Sequence, residues 1–395
     1  MSRSVVVAGV GMIPFRKPGQ SATYDVMGAE AVSLALKDAG IDYDLIQQAY
    51  AGYVYGDSTC GQRALYRVGQ TGIPVINVNN NCSSGSSALF LARQAVESGV
   101  VDCALALGFE QMMPGALGSV FVDRPNPLGP FIDMAQELQP DPDAFMAPHL
   151  FGGAGYEHAQ KYGTRPETFA MIAAKARKHA EHNDKAIFRV PLSVEEILAS
   201  PVVYKYLTRL QCCPPTCGGA AAIVVSPSFA KRHGIDSRVR ILGQALTTDT
   251  ASTFASQSMI RAVGFELSRE AAQRVYEQAG VGADDVDVCE LHDCFTANEL
   301  ITYEALGFAP EGEAEAFVRD GDNTYGGKVV TNPSGGLLSK GHPLGATGLA
   351  QCTELVEQLR GQSGARQVEG ARFALQHNIG TGSACVVTLY GLQDA

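Results

Sequence analysis

The chain has 395 residues and a net charge of −11, with 46% hydrophobic and 18% charged residues, the composition of a globular protein of two or three domains. The acidic balance excludes bulk nucleic-acid binding, and the lack of an apolar run of about 18 residues excludes a membrane-spanning helix. The start "MSRSVVVAGVGMIPF" lacks the pattern of a secretory leader, so the ten cysteines are expected as free thiols in a reducing cytoplasm.

The stretch "SVVVAGVGM" reads as the first strand, and "ALKDAGIDYDLIQQAYAG" as a helix ended by Gly40, an acidic loop and a second strand. "IPVINVNN" is a third strand, and "SSGSSALFLARQAVESG" a helix with a serine-rich first turn. Cys82 therefore stands at a strand-to-helix elbow. Free N–H groups and the positive end of the helix favour a thiolate there. Gly85 and the serines are expected to leave room for a substrate carbonyl; a tight helix–helix contact would ask for the same small residues. "DCALALGFE" is the next strand.

The pattern breaks from about 116 to 215. A Pro-rich stretch is followed by "TRPETFAMIAAKARKHAEHN", a helix expected to open on a capping box from Thr164 to Glu167. "GGAAAIVVS" then returns as the last strand of the first half. Residues 161–240 hold 13 Lys and Arg against 6 Asp and Glu. Such a basic segment in an acidic chain suits a local anionic ligand, such as a phosphorylated cofactor, or simply a solvated helix face.

The remainder repeats the first part. "VRILGQALT" pairs with the first strand, "VYEQAGVGADDVDVCELHD" with the helix–loop–strand around Gly40, and "RFALQHNIG" with "DCALALGFE". "HPLGATGLAQCTELVEQLRG" matches "CSSGSSALFLARQAVESG", and setting Gly85 on Gly345 places Cys82 on His342. This predicts a duplicated α/β chain with mostly parallel sheets covered by helices. Its parts are an N-terminal half (1–115 plus 216–240), an inserted segment (116–215) and a C-terminal half (241–395).

Four loops carry the candidate chemistry. Cys82 is the nucleophile, and His342, in the Gly-rich turn "SKGHPLG", could face it and take its proton. "CELHDCF" ends a strand, where sites in α/β sheets lie; it offers Cys294 as a second proton carrier and His292 as a hydrogen-bond donor. A zinc site from Cys289, His292 and Cys294 has poor spacing, and no metal is expected. The last loop, "LQHNIGTGSACVV", headed by His377, offers backbone N–H groups for an oxyanion hole.

Together with "GYVYGDSTCGQRA", "LQCCP", "GDNTYGGK" and "NPSGGLLSKGHPLGATGLAQC", these loops resemble the thiolase superfamily over essentially the whole chain, in its sterol carrier protein x subgroup. The resemblance implies the thiolase fold: two duplicated α/β halves in a five-layer αβαβα sandwich, with an inserted loop domain that binds coenzyme A. It implies CoA-dependent thiolysis of a 3-ketoacyl-CoA to acetyl-CoA or propionyl-CoA and a shortened acyl-CoA, or the reverse Claisen condensation. Cys82 would carry the acyl group, His342 activate it, and Cys294 act as acid and base. One oxyanion hole would use His292 and His342, the other the N–H groups of Cys82 and of a residue near Gly380. CoA would be a substrate rather than a resident cofactor, with Lys175, Arg177, Lys178, Lys205 and Arg209 of the basic segment as candidates for its phosphates. A homodimer or tetramer is implied, and any lipid carriage is expected of a separate protein, since no lipid-transfer domain follows residue 395. The sequence departs from the wider superfamily at His377, where many members have a second cysteine. It also lacks the usual Asp in "CCPPTCGGAAA" and has an extra Cys217. Other readings are a retro-aldolase acting on a steroid side-chain CoA ester and a non-catalytic acyl-CoA or lipid-binding protein; retention of Cys82, His342 and Cys294 argues for thiolysis.

Overall fold

The structure, a computed structural model, describes residues 3–113 and 121–393. In chain order its strands are β1 (Val5–Met12), β2 (Gln48–Gly52), β3 (Val75–Val78), β4 (Cys103–Glu110), β5 (Val202–Tyr204), β6 (Leu207–Thr208), β7 (Gly218–Val225), β8 (Val239–Thr247), β9 (Val288–Glu290), β10 (Val330–Thr331), β11 (Phe373–Gly380) and β12 (Ala384–Leu392). Ten form one sheet in the order β10-β9-β11-β12-β8-β1-β7-β4-β2-β3, while β5 and β6 make a separate hairpin. The order is symmetric about the β1–β8 junction, where Val5 pairs with Ile241 and Val6 with Arg240. Each of the five sheet strands of the first half (β1, β2, β3, β4 and β7) thus has a counterpart, and the duplication read in the sequence is a duplication of topology.

The match extends to the turns. The helix Tyr24–Ala39 ends at Gly40 (φ 67°) and the helix Phe265–Ala279 at Gly280 (φ 71°), left-handed positions that glycine adopts without strain. In both cases the next N–H caps the last turn: Ile41 donates to the Leu36 carbonyl and Val281 to that of Tyr276, each at 3.2 Å. The expectation of mostly parallel sheets needs correction. β2 pairs in parallel with β3 and β4, and β9 with β10 and β11, but every pairing made by β1, β7, β8 and β12 is antiparallel. β12 turns back directly from β11, and β7 re-enters from the inserted segment, so neither needs the crossover a parallel neighbour requires.

The helices Ser84–Glu97 and Thr347–Leu359 lie between the halves and pack on each other and on strands of both. The helix Tyr24–Ala39 covers the outer face of the first half and Phe265–Ala279 that of the second, which gives the five layers. Leu89, Ala92, Leu349, Ala350 and Leu355 from the middle helices meet Val7, Ala106, Ala222, Val288 and Ala374 of the sheets in one fully buried core. Truncating such a leucine to Ala costs about 2–5 kcal/mol.

The inserted segment forms helices Gly129–Leu138, Met146–Tyr162 and Pro166–His179, the last two packed on helices of the second half. Its boundary at 115/116 falls outside the described residues. The capping box at Thr164 is absent: the helix starts at Pro166, whose fixed φ and missing N–H suit the first turn, after an N-cap at Arg165. The Thr164 hydroxyl instead meets His158 Nδ1 at 2.8 Å. Among the described residues no helix is long and apolar enough to cross a membrane.

Candidate active site

The elbow at Cys82 is built from backbone strain and small polar side chains. β3 ends at Val78, Asn81 adopts a left-handed φ of 50°, and the helix Ser84–Glu97 begins after Ser83. Ser84 Oγ accepts from the Asn80 N–H and Ser87 Oγ from the Asn80 amide, both at 2.9 Å, and Ser83 Oγ donates to the Asn80 carbonyl at 2.8 Å. Ser83, Ser84, Ser86 and Ser87 are buried. A Cβ on Gly85 would lie 2.5 Å from the Gly345 carbonyl oxygen. The expectation that these small residues clear space for substrate is therefore corrected: they lock the elbow and admit the backbone of the other half. Cys82 itself keeps partial surface access.

His342 enters from the matching turn. Its N–H donates to Thr216 Oγ1 at 3.1 Å, and its Nδ1 lies 2.7 Å from Thr347 Oγ1. The Thr347 hydroxyl has an acceptor of its own in the Pro343 carbonyl at 3.0 Å, which leaves its oxygen free to accept from a ring proton on Nδ1. In that arrangement Nε2 is a bare lone pair. It is buried and has no hydrogen-bond partner among the described residues.

The HDCF stretch follows β9. His292 is buried; its Nδ1 lies 3.0 Å from Asn378 Nδ2, and its ring stands at 84° to that of His342 with centroids 5.0 Å apart. The Cys82 sulfur and one ring nitrogen each of His292 and His342 lie within 4.8 Å of one another. Cys289 and Cys294 do not join this group, so the alternative zinc trio is not assembled. Asp293 holds the approach to the His342 turn. Its carboxylate accepts the Leu337 N–H at 2.7 Å and the Leu338 N–H at 3.3 Å, which fixes the short helix Gly336–Ser339. Cys294 is buried among Phe151, Phe295 and Leu337, close enough to Cys82 for its charge to be felt.

The late turn is Thr381–Ser383, between β11 and β12. His377 does not head it: it sits inside β11 opposite Val387, buried, with Nε2 2.9 Å from Ser268 Oγ. A Cβ on Gly380 would lie 2.1 Å from the Asn80 carbonyl, so glycine lets β11 press on the elbow. The backbone N–H groups that reach the Cys82 sulfur are its own and that of Thr381, one residue beyond Gly380.

Known families fit this arrangement. Residues 5–197 match the thiolase N-terminal domain and residues 249–391 the thiolase C-terminal domain-like family. The chain belongs to the thiolase family. It is 55% identical over 390 residues to sterol carrier protein 2 of Oryctolagus cuniculus, covering 98% of this chain and 71% of that protein. It is 36% identical over 390 residues to the benzoylsuccinyl-CoA thiolase subunit BbsB of Thauera aromatica, covering 97% and 96% of the two chains. The solved Ltp2-ChsH2(DUF35) aldolase superposes with a TM-score of 0.82 at 22% identity over 98% of each chain, a likeness of fold. The chain is accordingly an acyltransferase of the thiolase family with the thiolase fold.

Electrostatics alter the expected resting state of this thiolase. Burial pushes the Cys82 thiol up to about 12, the nearby Glu110 adds to the rise, and the Thr381 and Cys82 N–H groups oppose it. The sulfur therefore rests as a thiol, not the thiolate expected from its place before a helix, and needs a base. Burial holds His342 down at about 3, a neutral imidazole at any ordinary pH. Cys294 is raised well above the usual thiol range, first by burial and then by Cys213 and Cys82, so it too rests protonated.

Two residues escaped the sequence reading. Glu110 ends β4, buried, and accepts from the N–H groups of Val54 (3.1 Å), Tyr55 (2.9 Å) and Gly345 (3.0 Å), tying the Gly345 turn to the first half. Burial raises its carboxyl to about 7. A lone acid closing "CALALGF" was the available signal. Cys213 donates its N–H to the Cys294 carbonyl at 2.9 Å, placing a third thiol beside the site. The basic candidates divide. Lys175 is buried, bonded to Glu299 and to Thr331 Oγ1 at 2.6 Å, and Arg177 is buried with its guanidinium 4.0 Å from the Phe188 ring centroid. Lys178, Lys205 and Arg209 are exposed.

Proposed function

We propose that the protein cleaves 3-ketoacyl-CoA by thiolysis, or runs the reverse condensation, through an acyl group carried on Cys82. The observation that carries the reading is the buried, unpartnered Nε2 of His342, on a ring that clusters with the Cys82 sulfur and His292. The Cys82 proton passes to His342 Nε2 as the sulfur bonds to the 3-keto carbon. The C2–C3 bond then breaks, and its electron pair leaves on an acetyl-CoA or propionyl-CoA enolate. His292 and the now protonated His342 are the donors for the thioester oxygen, and Cys294 supplies the proton that quenches the enolate carbon. The Cys294 thiolate next takes the proton of incoming CoA, whose sulfur attacks acyl-Cys82. The leaving Cys82 sulfur recovers its proton from His342. In this step the acyl oxygen is met by the N–H groups of Cys82 and Thr381, with Gly380 shaping the approach.

Lys178, Lys205 and Arg209 remain available for the phosphates of CoA. The outer edge of β3 is unpaired and only half-buried, which supports a homodimer paired along it. The segment that ends that strand also forms the elbow. The free thiols fit a reducing cytoplasm, and thiolysis fits a role in fatty acid or sterol degradation, with a lipid carrier as a further partner.

The test is mass spectrometry of the protein after mixing with straight, α-methyl-branched and steroid 3-ketoacyl-CoAs without CoA. The acyl mass is expected on the peptide bearing Cys82 and absent from Cys82→Ala. Label on another residue, or none from any of the three classes, contradicts the reading.

A further inference from the structure

Two histidines meet at the site, and each can act as a donor or as a base, depending on which nitrogen holds its proton. For His342 the neighbouring Thr347 makes the choice. For His292 the choice is made four groups away.

The Gly348 carbonyl can only accept. It lies 2.7 Å from Gln376 Nε2, which fixes that atom as the amide nitrogen, and Tyr390 Oη meets the other end of the same amide. Gln376 Nε2 also donates to Ser86 Oγ at 2.8 Å. With no other acceptor for it among the described residues, the Ser86 hydroxyl proton goes to Asn378 Oδ1 at 2.8 Å. Asn378 must then turn its NH2 toward His292 Nδ1, 3.0 Å away. An imidazole nitrogen that accepts cannot carry the proton, so the proton of neutral His292 stands on Nε2. Gln376, Ser86, Asn378 and His292 are all buried, so water does not offer alternative partners.

We propose that Asn378, oriented by Ser86 and Gln376, is a positioning residue that holds His292 as the Nε2–H tautomer, a fixed donor toward the substrate thioester oxygen. The inference rests on the thiolysis reading above for the identity of that oxygen, but the tautomer itself does not. The two histidines then face the site in opposite states, one lone pair at His342 and one N–H at His292. The cluster with Cys82 thus offers a base and a donor, rather than three lone pairs for a metal ion. Because Ser86 comes from the first half and the other members from the second, the relay closes only when the halves are docked.

The experiment records imidazole 15N spectra of histidine-labelled full-length protein, wild type against Asn378→Asp, with kinetics of Asn378→Ala. In wild type His292 is expected to show a protonated Nε2 and a bare Nδ1. The carboxylate of Asn378→Asp can only accept, so Nδ1 should become protonated. For Asn378→Ala, kcat should fall tenfold or more, since a histidine in the wrong tautomer has cost up to about 10⁴ in another enzyme class. KM and the rate of Cys82 alkylation by iodoacetamide should stay within twofold, because alkylation develops no oxyanion. The proposal is overturned by a protonated Nδ1 in wild type, by an Asp variant with an unchanged tautomer, by a kcat within twofold, or by alkylation that falls in step with kcat. A wild type that turns over no ketoacyl-CoA removes the thiolysis reading while the spectra still decide the tautomer.

Discussion

Gly85 and Gly345, equivalent residues of the two halves, touch through bare backbone: a Cβ on Gly85 would lie 2.5 Å from the Gly345 carbonyl oxygen. Alanine at position 85 would gain about 1 kcal/mol of helix propensity. It would also drive a methyl group into a carbonyl that the Glu110 contact holds in place. Overpacking of this kind costs about 1–3 kcal/mol, and backbone cannot swing away as a side chain can. Gly85→Ala should therefore lower the urea midpoint and, by parting Cys82 from His342, reduce kcat. A midpoint equal to or above wild type would show that the contact yields easily.

If the thiolysis reading holds, the Cys82 and Cys294 thiols should separate by function. Cys294→Ala leaves Cys82 and His342 in place, so the acyl-enzyme should still form from ketoacyl-CoA. The enolate then lacks its acid and CoA its base. Loss of positioned general acid–base catalysis typically costs about 10²–10⁴ in rate. Steady-state turnover should fall in that range while acyl-Cys82 remains visible by mass spectrometry. Turnover near wild type would remove Cys294 from the mechanism and direct attention to Cys213, whose N–H already rests on the Cys294 carbonyl.

Local rules explain how much of this was legible. Gly40 and Gly280 announced two equal helix ends, and the run "NNNCSSG" announced an elbow, because both depend on a few adjacent residues. The pairing of Cys82 with His342 was legible because the duplication supplied the long-range step. What failed were assignments that depend on burial. Lys175 reads as a surface cation in "AAKARKHA" and becomes the partner of Glu299, 124 residues away. His377 reads as the head of a turn and lies inside a strand, because the turn itself needs only Thr381–Ser383. The resting thiol at Cys82 follows from desolvation, which no sequence pattern displays.

That division makes the basic segment testable. Lys175 Nζ is buried on Glu299, Thr331 and Tyr303. Lys175→Met removes the counter-charge of the buried Glu299 carboxylate, which keeps only the neutral donors Tyr303 and Asn332, a change that costs about 3–5 kcal/mol. It should lower the urea midpoint strongly. Arg209→Glu and Lys205→Glu, on exposed positions, should leave the midpoint almost unchanged. If those cations meet CoA, the reversals should raise its KM and flatten the dependence of KM on salt. A salt-insensitive KM in wild type would place the CoA phosphates elsewhere.

Stability should respond to pH in two stages, because two sets of buried groups oppose each other. His179, His342 and His377 are held at about 3 and His292 well below the usual 6.5, each first by burial. Their folded values are depressed, so their contribution is present above 6.5 and is lost as pH falls from there. Each contributes up to about 1.4 kcal/mol per pH unit in that window. Burial raises Glu110 from 4.5 to about 7, and also raises Glu290 and Asp293. Carboxyls shifted upward favour the fold at low pH and lose that contribution as pH rises, the opposite slope. Between 6.5 and 4.5 the three raised carboxyls offset part of the slope of the four histidines. Below 4.5 the offset from the glutamates ends, and below 3.8 that from Asp293 ends too; there the histidine slope stands alone, and Asp25, Asp102 and Asp236, whose partners hold them low, add to it. Urea midpoints should thus fall gently down to about pH 4.5 and steeply beneath it. A steady decline that begins at pH 6.5 would mean that the buried carboxyls ionise normally and that the Glu110 contact with the Gly345 turn is made by a charged group.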